Sequence, residues 1–213
     1  MVSHTFNIIG MGESSVAEEI EDMFDAKNPS VAPYAKSGEV RLRITAKAGT
    51  ADEADRMCTP VVDEICRRLG DVVYGTDMNS IEERVVALLK EKGKKIATAE
   101  SCTAGYIPKR LTDIPGASEV FECGIVSYSN DMKTKLLGVS PKTLETYGAV
   151  SEQTAREMAL GAKRVSGADI AISTTGLAGP GGDGVLPGGL SFAAVTDGER
   201  TVVEKIVTGH END

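Results

Sequence analysis

The chain has 213 residues, 41% hydrophobic and 26% charged, with a formal net charge of −9; at roughly 100–200 residues per domain that is one large unit or two small ones of ordinary globular composition. Residues 1–78 hold 14 of the 32 acidic side chains against 8 of the 23 basic ones, so no bulk basic stripe exists to neutralise phosphates and nucleic acid is not an expected partner. No apolar run approaches the ~20 residues of a membrane span, and the start Met1-Val-Ser-His-Thr-Phe6 lacks a basic, apolar leader, so the expected location is cytoplasmic, with no membrane partner.

The first segment alternates elements of both kinds. Residues 4–9 read as a strand ending at Gly10. Residues 13–25 read as a helix with Val16, Ile20, Met23 and Phe24 on one face. A short strand at 30–34 and a turn at Lys36-Ser37-Gly38 lead into Glu39–Thr45, whose strict alternation marks a half-buried strand. Residues 51–69 carry Ala54, Met57, Val61, Ile65 and Leu69 at helical spacing, with Pro60 expected to kink that helix or to mark its true start. Asp71–Tyr74 closes the set as a strand. The order β-α-β-β-α-β is the split βαβ, ferredoxin-like pattern of a small α+β domain over residues 1–77.

A second unit is expected over 78–213. Ser80 and Glu83 form a capping box that opens a helix ending at Gly93. A strand follows at 95–99, then a helix at 102–112, a strand at 120–128, helices at 131–137, 141–147 and 151–165, and an apolar strand at 169–174. Residues 189–195 and 200–207 form a hairpin around Asp197-Gly198. This alternation argues for a three-layer α/β/α domain.

Three constellations could do chemistry. In Glu100-Ser101-Cys102-Thr103-Ala104-Gly105, a hydroxyl stands where a strand enters a helix, beside free backbone N–H groups that suit a developing oxyanion or a phosphate. Serine is also a favoured helix cap, and Cys102 is a competing nucleophile or a small buried side chain. In Ser127-Tyr128-Ser129-Asn130-Asp131-Met132-Lys133, a tyrosine and a lysine flank a strand-to-helix junction, and a lysine serves as a base if burial lowers its pKa. In Ser173–Gly182, glycines follow an apolar strand and can line up N–H donors for an anion. Ser101, Tyr128 and Thr175 all stand at predicted carboxyl ends of strands, where open α/β sheets bind ligands.

Absences narrow the chemistry. The two histidines, His4 and His210, stand near opposite ends of the chain, so a multi-histidine metal site is not expected and the base for a serine would not be histidine. The four cysteines, Cys58, Cys66, Cys102 and Cys123, have no C-x-x-C spacing and read as reduced thiols.

On Ala99–Thr103, Leu111–Gly116, Tyr128–Asn130, Lys133, Leu136–Val139, Gly148–Glu152 and Thr175–Gly182, the chain resembles the CinA C-terminal family, which contains nicotinamide-nucleotide amidases. The resemblance covers roughly 80–195. Residues 10–75, through Gly10–Ser14, Ala32–Tyr34 and Gly38–Arg43, look like the KH-like middle domain of full-length CinA, whose N-terminal domain has no counterpart here. The resemblance implies hydrolysis of the carboxamide of nicotinamide mononucleotide to nicotinate mononucleotide and ammonia. Ser101 would be the nucleophile and Lys133 its base, with Tyr128 and Thr175 in support. Thr103, Gly105, Asn130, Gly176, Gly179, Gly181 and Gly182 would contact substrate. Neither metal nor other cofactor is called for. The expected partners are the pyridine mononucleotide and a second copy of the chain, the small domain serving for packing or dimerisation; a KH-type RNA clamp needs a G-x-x-G loop between helices, and none is suitably placed.

Four positions depart from the family pattern. Ala104 stands where glycine is frequent. Pro108 falls inside the predicted 102–112 helix. Leu186 replaces a lysine that follows the glycine loop. The arginine-bearing segment and final helix that follow the hairpin in relatives are not found before Asp213. The missing cations frame an alternative: a nucleotide-binding or regulatory protein that keeps the fold without turnover.

Overall fold

The computed structural model describes residues 1–36, 38–179, 181–182 and 184–208. Ser37 of the expected turn, Pro180 of the glycine loop and His210 lie outside them. The chain divides into two compact units, Met1–Val85 and Val86–Asp213. That division falls inside helix α3 (Ile81–Glu91). The helix opens on the expected capping box: Ser80 Oγ accepts from Glu83 N at 3.3 Å, and Glu83 reaches back to Asn79 N at 2.8 Å.

The first unit carries strands β1 (Val2–Ile8), β2 (Ser30–Lys36), β3 (Glu39–Ala46) and β4 (Val73–Thr76), with helices α1 (Glu13–Glu19) and α2 (Ala51–Leu69). The sheet order is β2-β3-β1-β4, and every neighbouring pair is antiparallel. This is the split βαβ arrangement. Phe6, Ile8, Leu42 and Ile44 pack against Val16, Ile20, Ala54, Cys58 and Ile65 in one core, so both helices cover one face of the sheet. Two expectations are corrected. The helix from 13 ends at Glu19, because Ile20 leaves helical geometry at φ −128° and a 3-10 turn, Glu21–Met23, follows. Pro60 neither starts nor ends α2. Thr50 caps the helix ten residues earlier, accepting from Glu53 N at 3.2 Å, and Pro60 sits on the exposed side, where it removes a single backbone hydrogen bond.

The other face of this sheet is polar. Asn7 Nδ2 donates to the Met78 carbonyl at 2.8 Å, and Arg41 Nη2 donates to the Asn79 carbonyl at 2.6 Å. Backbone groups must find partners wherever they are drawn from water, so these two bonds fasten the segment leaving β4 onto β1 and β3.

In the second unit, β5 (Ile96–Glu100), β6 (Phe121–Val126), β7 (Ile170–Gly176), β8 (Leu190–Thr196) and β9 (Thr201–Val207) lie in the order β6-β5-β7-β8-β9. The central strand β5 runs parallel to both β6 and β7, whereas β8 and β9 are antiparallel. Helix α7 (Glu152–Ser166) lies on one face, against β5, β7 and β8, with α5 (Asn130–Leu137) and α6 (Pro141–Tyr147) beside it. Ala99 and Ala171 of the sheet meet Leu137, Val139, Met158 and Ala162 there. Helix α4 (Tyr106–Thr112) lies on the opposite face, its Pro108 against Gly124 of β6. Lys90 of α3 pairs with Glu119, beyond α4, at 2.8 Å. The result is the expected three-layer α/β/α sandwich.

The junction between β5 and α4 differs from expectation. No helix begins at 102. Residues 101–105 form turns, and α4 starts at Tyr106. Pro108 therefore falls in the first helical turn, where a missing N–H costs little. The turn bends through left-handed geometry at Ala104 (φ 49°) and Gly105 (φ 98°). A side chain at such a φ costs about 1–2 kcal/mol, which gives a physical reason for glycine at position 104.

Two predictions follow from these local structures. Ala104→Gly relieves the left-handed strain but adds about 0.5–1 kcal/mol of unfolded-state freedom, so urea denaturation will show a small net gain in stability, below about 1 kcal/mol; a clear loss contradicts the strain argument. The second concerns His4, whose Nδ1 and Nε2 lie 2.7 Å from Asp77 and 2.8 Å from Asp55. Hydrogen bonding to Asp77 and then Asp55 raises its pKa above 6.5. The charged pair therefore stabilises the fold fully below about pH 6.5, and this is lost as pH rises through the higher folded-state value. The stability advantage of the wild type over His4→Gln in urea unfolding will be largest in mild acid and shrink toward alkaline pH.

Candidate active site

The parallel trio β6-β5-β7 delivers three strand ends to one place. Ser101 follows β5 directly, and its N–H donates to the Thr174 carbonyl of β7 at 3.0 Å. Ser127 follows β6, and its N–H donates to the Glu100 carbonyl at 2.8 Å. The sheet ladder thus runs one residue past each strand and fixes Ser101 between its neighbours. Around it lies a pocket of about 340 Å³ lined by Ser101, Cys102, Tyr128, Lys133, Ala149, Val150, Thr175 and the glycine loop, including Gly176, Gly179 and Gly182. That volume lies within the usual range for small-molecule sites, about 300–1,000 Å³.

Lys133 reaches this point from α5. Ser129 caps the helix by accepting from Met132 N at 3.3 Å, and Lys133 stands one turn later, turned inward. It is 1% exposed. Its Nζ lies 3.0 Å from Ser101 Oγ, 2.9 Å from the Ser127 carbonyl and 3.0 Å from the Tyr128 carbonyl. Among the described residues no carboxylate pairs with it. Burial pushes its pKa below the ordinary lysine value, with the neighbouring Cys102 acting weakly in the other direction. An unpaired ammonium held in the interior is costly, and losing the proton removes that cost. The neutral amine then has two N–H groups for two carbonyls and one lone pair for the serine hydroxyl. Two carbonyl acceptors and one hydroxyl able to donate match that count.

The N–H groups of Cys102 and Thr103, just beyond Ser101, donate to no oxygen among the described residues. They face the Cys102 thiol, whose pKa burial pushes up. Lys133 Nζ lies within hydrogen-bond reach of Ser101 Oγ, which makes Ser101 the better-placed nucleophile of the adjacent pair, and the raised thiol pKa leaves Cys102 with less of its reactive thiolate. Backbone N–H groups without an oxygen partner beside Ser101 are the kind of donor that can receive negative charge developing on a carbonyl attacked by Ser101.

The other expected residues fall into two sets. Thr175 lines the pocket, but its hydroxyl is committed to the Ala149 carbonyl at 2.6 Å. Tyr128 lines it with its ring 75% exposed, and it is its backbone carbonyl that meets Lys133. Gly176, Gly179 and Gly182 line it too. Gly188 in the same loop packs so closely on Gly179 that a side chain would strike its carbonyl. Thr103, Gly105, Asn130 and Gly181 are not among the lining residues. The Thr103 hydroxyl is bonded to that of Thr174 at 2.7 Å, and the Gly105 N–H is used by Glu100 Oε2 at 3.1 Å. Asn130 opens α5 and borders a separate groove with Pro141 and Leu144. The carbonyls of Ser127 and Tyr128, and the contribution of Ala149 and Val150, carry no sequence signal, because backbone groups are the same for every residue. His4 is engaged by two aspartates of the first unit. Among the described residues, no group of three or more His, Cys, Asp or Glu side chains could hold a metal ion, and no helix is long and apolar enough to cross a membrane.

Comparison with known proteins identifies the family. Family models for the CinA C-terminal domain and for the KH domain of the damage-inducible protein CinA match residues 78–213 and 3–75. A competence-damage inducible protein of Clostridium beijerinckii is 51% identical over all of this chain and 52% of its own length. A CinA-like protein of Desulfovibrio desulfuricans is 47% identical over 92% of this chain and 46% of its own. The chain thus spans about half the length of the curated relatives it matches. Among solved structures, the competence/damage inducible protein CihA of Agrobacterium tumefaciens superposes with a TM-score of 0.59 at 41% identity, covering 61% of this chain and 79% of that one. A CinA superfamily protein of Escherichia coli gives 0.59 at 31% identity, covering 61% and 76%. With both units matched by its family models and half of its residues shared with a full-coverage relative, the chain belongs to the CinA family.

Proposed function

We propose that this chain hydrolyses the carboxamide of nicotinamide mononucleotide, releasing ammonia and nicotinate mononucleotide, with Ser101 as nucleophile and Lys133 as base. The single observation that carries the reading is the buried Lys133 amine, without a carboxylate partner among the described residues, 3.0 Å from Ser101 Oγ. As Ser101 Oγ bonds to the carboxamide carbon, its proton passes to the Lys133 lone pair, and the N–H groups of Cys102 and Thr103 hold the oxyanion. Collapse of the tetrahedral intermediate breaks the C–N bond, and the Lys133 proton leaves with ammonia. Water then attacks the acyl ester, giving its proton to Lys133. The ester oxygen takes that proton back as the acid departs and Ser101 is restored. The glycine loop offers backbone donors for the substrate's anionic end.

A second reading is favoured by one feature: among the described lining residues Lys133 is the only cation. A phosphate-bearing ligand would then be held by backbone donors alone, as suits a nucleotide-binding protein without turnover. Binding of the mononucleotide with no ammonia released supports this reading against the first.

The amidase reading makes two predictions. Ser101→Ala will abolish ammonia release from nicotinamide mononucleotide in a coupled ammonia assay while leaving the fold intact by circular dichroism; unchanged turnover sinks the scheme. The pH profile has a fixed sign. Lys133 acts only when neutral, so kcat/KM will rise with pH and level off above its lowered pKa, with the midpoint below the ~10.4 of a free lysine. Lys133→Arg, which cannot lose its proton, will cost at least about 100-fold at every pH.

A further inference from the structure

We propose that Glu100 is a positioning residue for Ser101, acting through the two backbone N–H groups its carboxyl accepts. This rests on Ser101 being the nucleophile. Glu100 ends β5 and is 0% exposed. Its side chain lies on the α4 face of the sheet, where Oε2 accepts from Gly105 N at 3.1 Å and Ile107 N at 3.2 Å. These bonds close the turn that carries Ser101, Cys102 and Thr103. The backbone of the same residue serves the other half of the site: its carbonyl accepts from Ser127 N at 2.8 Å, and the Ser127 carbonyl accepts from Lys133 at 2.9 Å. One residue therefore holds both the nucleophile's turn and the lysine's anchor.

Three observations separate this from an ordinary helix cap. The residue at the cap position, Gly105, brings no side-chain acceptor of its own, so the acceptor comes from the opposite end of the turn. The turn passes through left-handed geometry at Ala104, a conformation that persists at a non-glycine residue only where neighbouring groups enforce it. And Oε1 is buried without a hydrogen-bond partner, a costly arrangement if the carboxyl did nothing but start a seven-residue helix. The Thr103–Thr174 hydroxyl bond and the turn's own bonds, from Ala104 N to the Ser101 carbonyl at 3.2 Å and from Tyr106 N to the Thr103 carbonyl at 2.9 Å, are the other ties, but it is Glu100 Oε2 that ties Gly105 N back to the end of β5. Without Glu100 the turn relaxes, and the Cys102 and Thr103 N–H groups no longer converge with Ser101.

The test uses the full chain with two readouts: the rate at which a fluorophosphonate labels Ser101, and steady-state ammonia release from nicotinamide mononucleotide. Glu100→Leu fills the space without an acceptor. Its labelling rate and kcat should fall at least tenfold, with KM changed less than threefold and a folded circular dichroism spectrum. Glu100→Gln keeps a carbonyl oxygen for both N–H groups and should recover the labelling rate to within about threefold of wild type. A folded Leu variant that labels at the wild-type rate overturns the proposal. So does a folded Gln variant that loses tenfold, and this second comparison decides the matter if the Leu variant does not fold. The labelling readout does not depend on the amide substrate: a wild type that labels but releases no ammonia removes the amidase reading and leaves the role of Glu100 to be decided by the labelling rates.

Discussion

A buried lysine amine with no carboxylate partner among the described residues is the constraint around which the second unit is organised. Burial pushes the Lys133 pKa down and so favours the neutral form, a form that suits its surroundings: two carbonyl acceptors for its N–H groups and one hydroxyl for its lone pair. Two successive carbonyls pointing at one nitrogen require a chain that has just left a strand and has not yet become helix. Residues 127 and 128 are in that state, between the end of β6 and the Ser129 cap of α5. The lysine must come from the helix that follows, one turn in. The hydroxyl must come from the neighbouring strand end, which places β5 beside β6 and parallel to it.

The connections complete the arrangement. β5 leaves through α4 on one face of the sheet, whereas β6 leaves through α5, α6 and α7 on the other. Adjacent parallel strands whose connections depart to opposite faces open a crevice at their carboxyl ends, and Ser101 stands in it. The left-handed φ at Ala104 is the strain of turning the chain sharply after Ser101, and the Glu100 carboxyl, the Thr103–Thr174 pair and the bond from Ala104 N to the Ser101 carbonyl hold that turn. The Cys102 and Thr103 N–H groups are left without oxygen partners as a result, which is what an oxyanion site needs in advance of its ligand.

Much of this was legible from the residues alone. The apolar alternation of Glu39–Thr45 and the helical spacing of residues 51–69 lead directly to the split βαβ unit, and Ser80 with Glu83 marks the start of α3. The order of strand and helix signals after residue 80 gives the three-layer unit. Ser101, Lys133, Tyr128 and Thr175 lie together in the folded chain because each ends or follows a strand in that order. What was hidden belongs to backbone geometry and to long-range pairing. Pro60 reads as a breaker, but a cap at Thr50 and a solvent-facing position let the helix run past it. The segment 102–105 stands where a helix is expected to begin after β5, yet it turns through positive φ before α4 begins. Thr103, Gly105 and Asn130 have the residue types of ligand contacts, but the Thr103 hydroxyl and the Gly105 N–H are bonded within the protein and Asn130 faces another groove. The two carbonyls that hold Lys133 and the side of the sheet chosen by Glu100 depend on register, which no local pattern encodes.

The central claim is that Lys133 exists as a neutral amine poised on Ser101. It is tested most directly by NMR of protein carrying 13C-labelled lysine, titrated with pH, with Lys133→Arg used to assign its signal. A Lys133 Cε resonance that titrates well below the surface lysines, which cluster near 10.4, is the predicted result. A resonance that titrates with the surface lysines or above them means that the site holds a permanent ammonium, and contradicts the account.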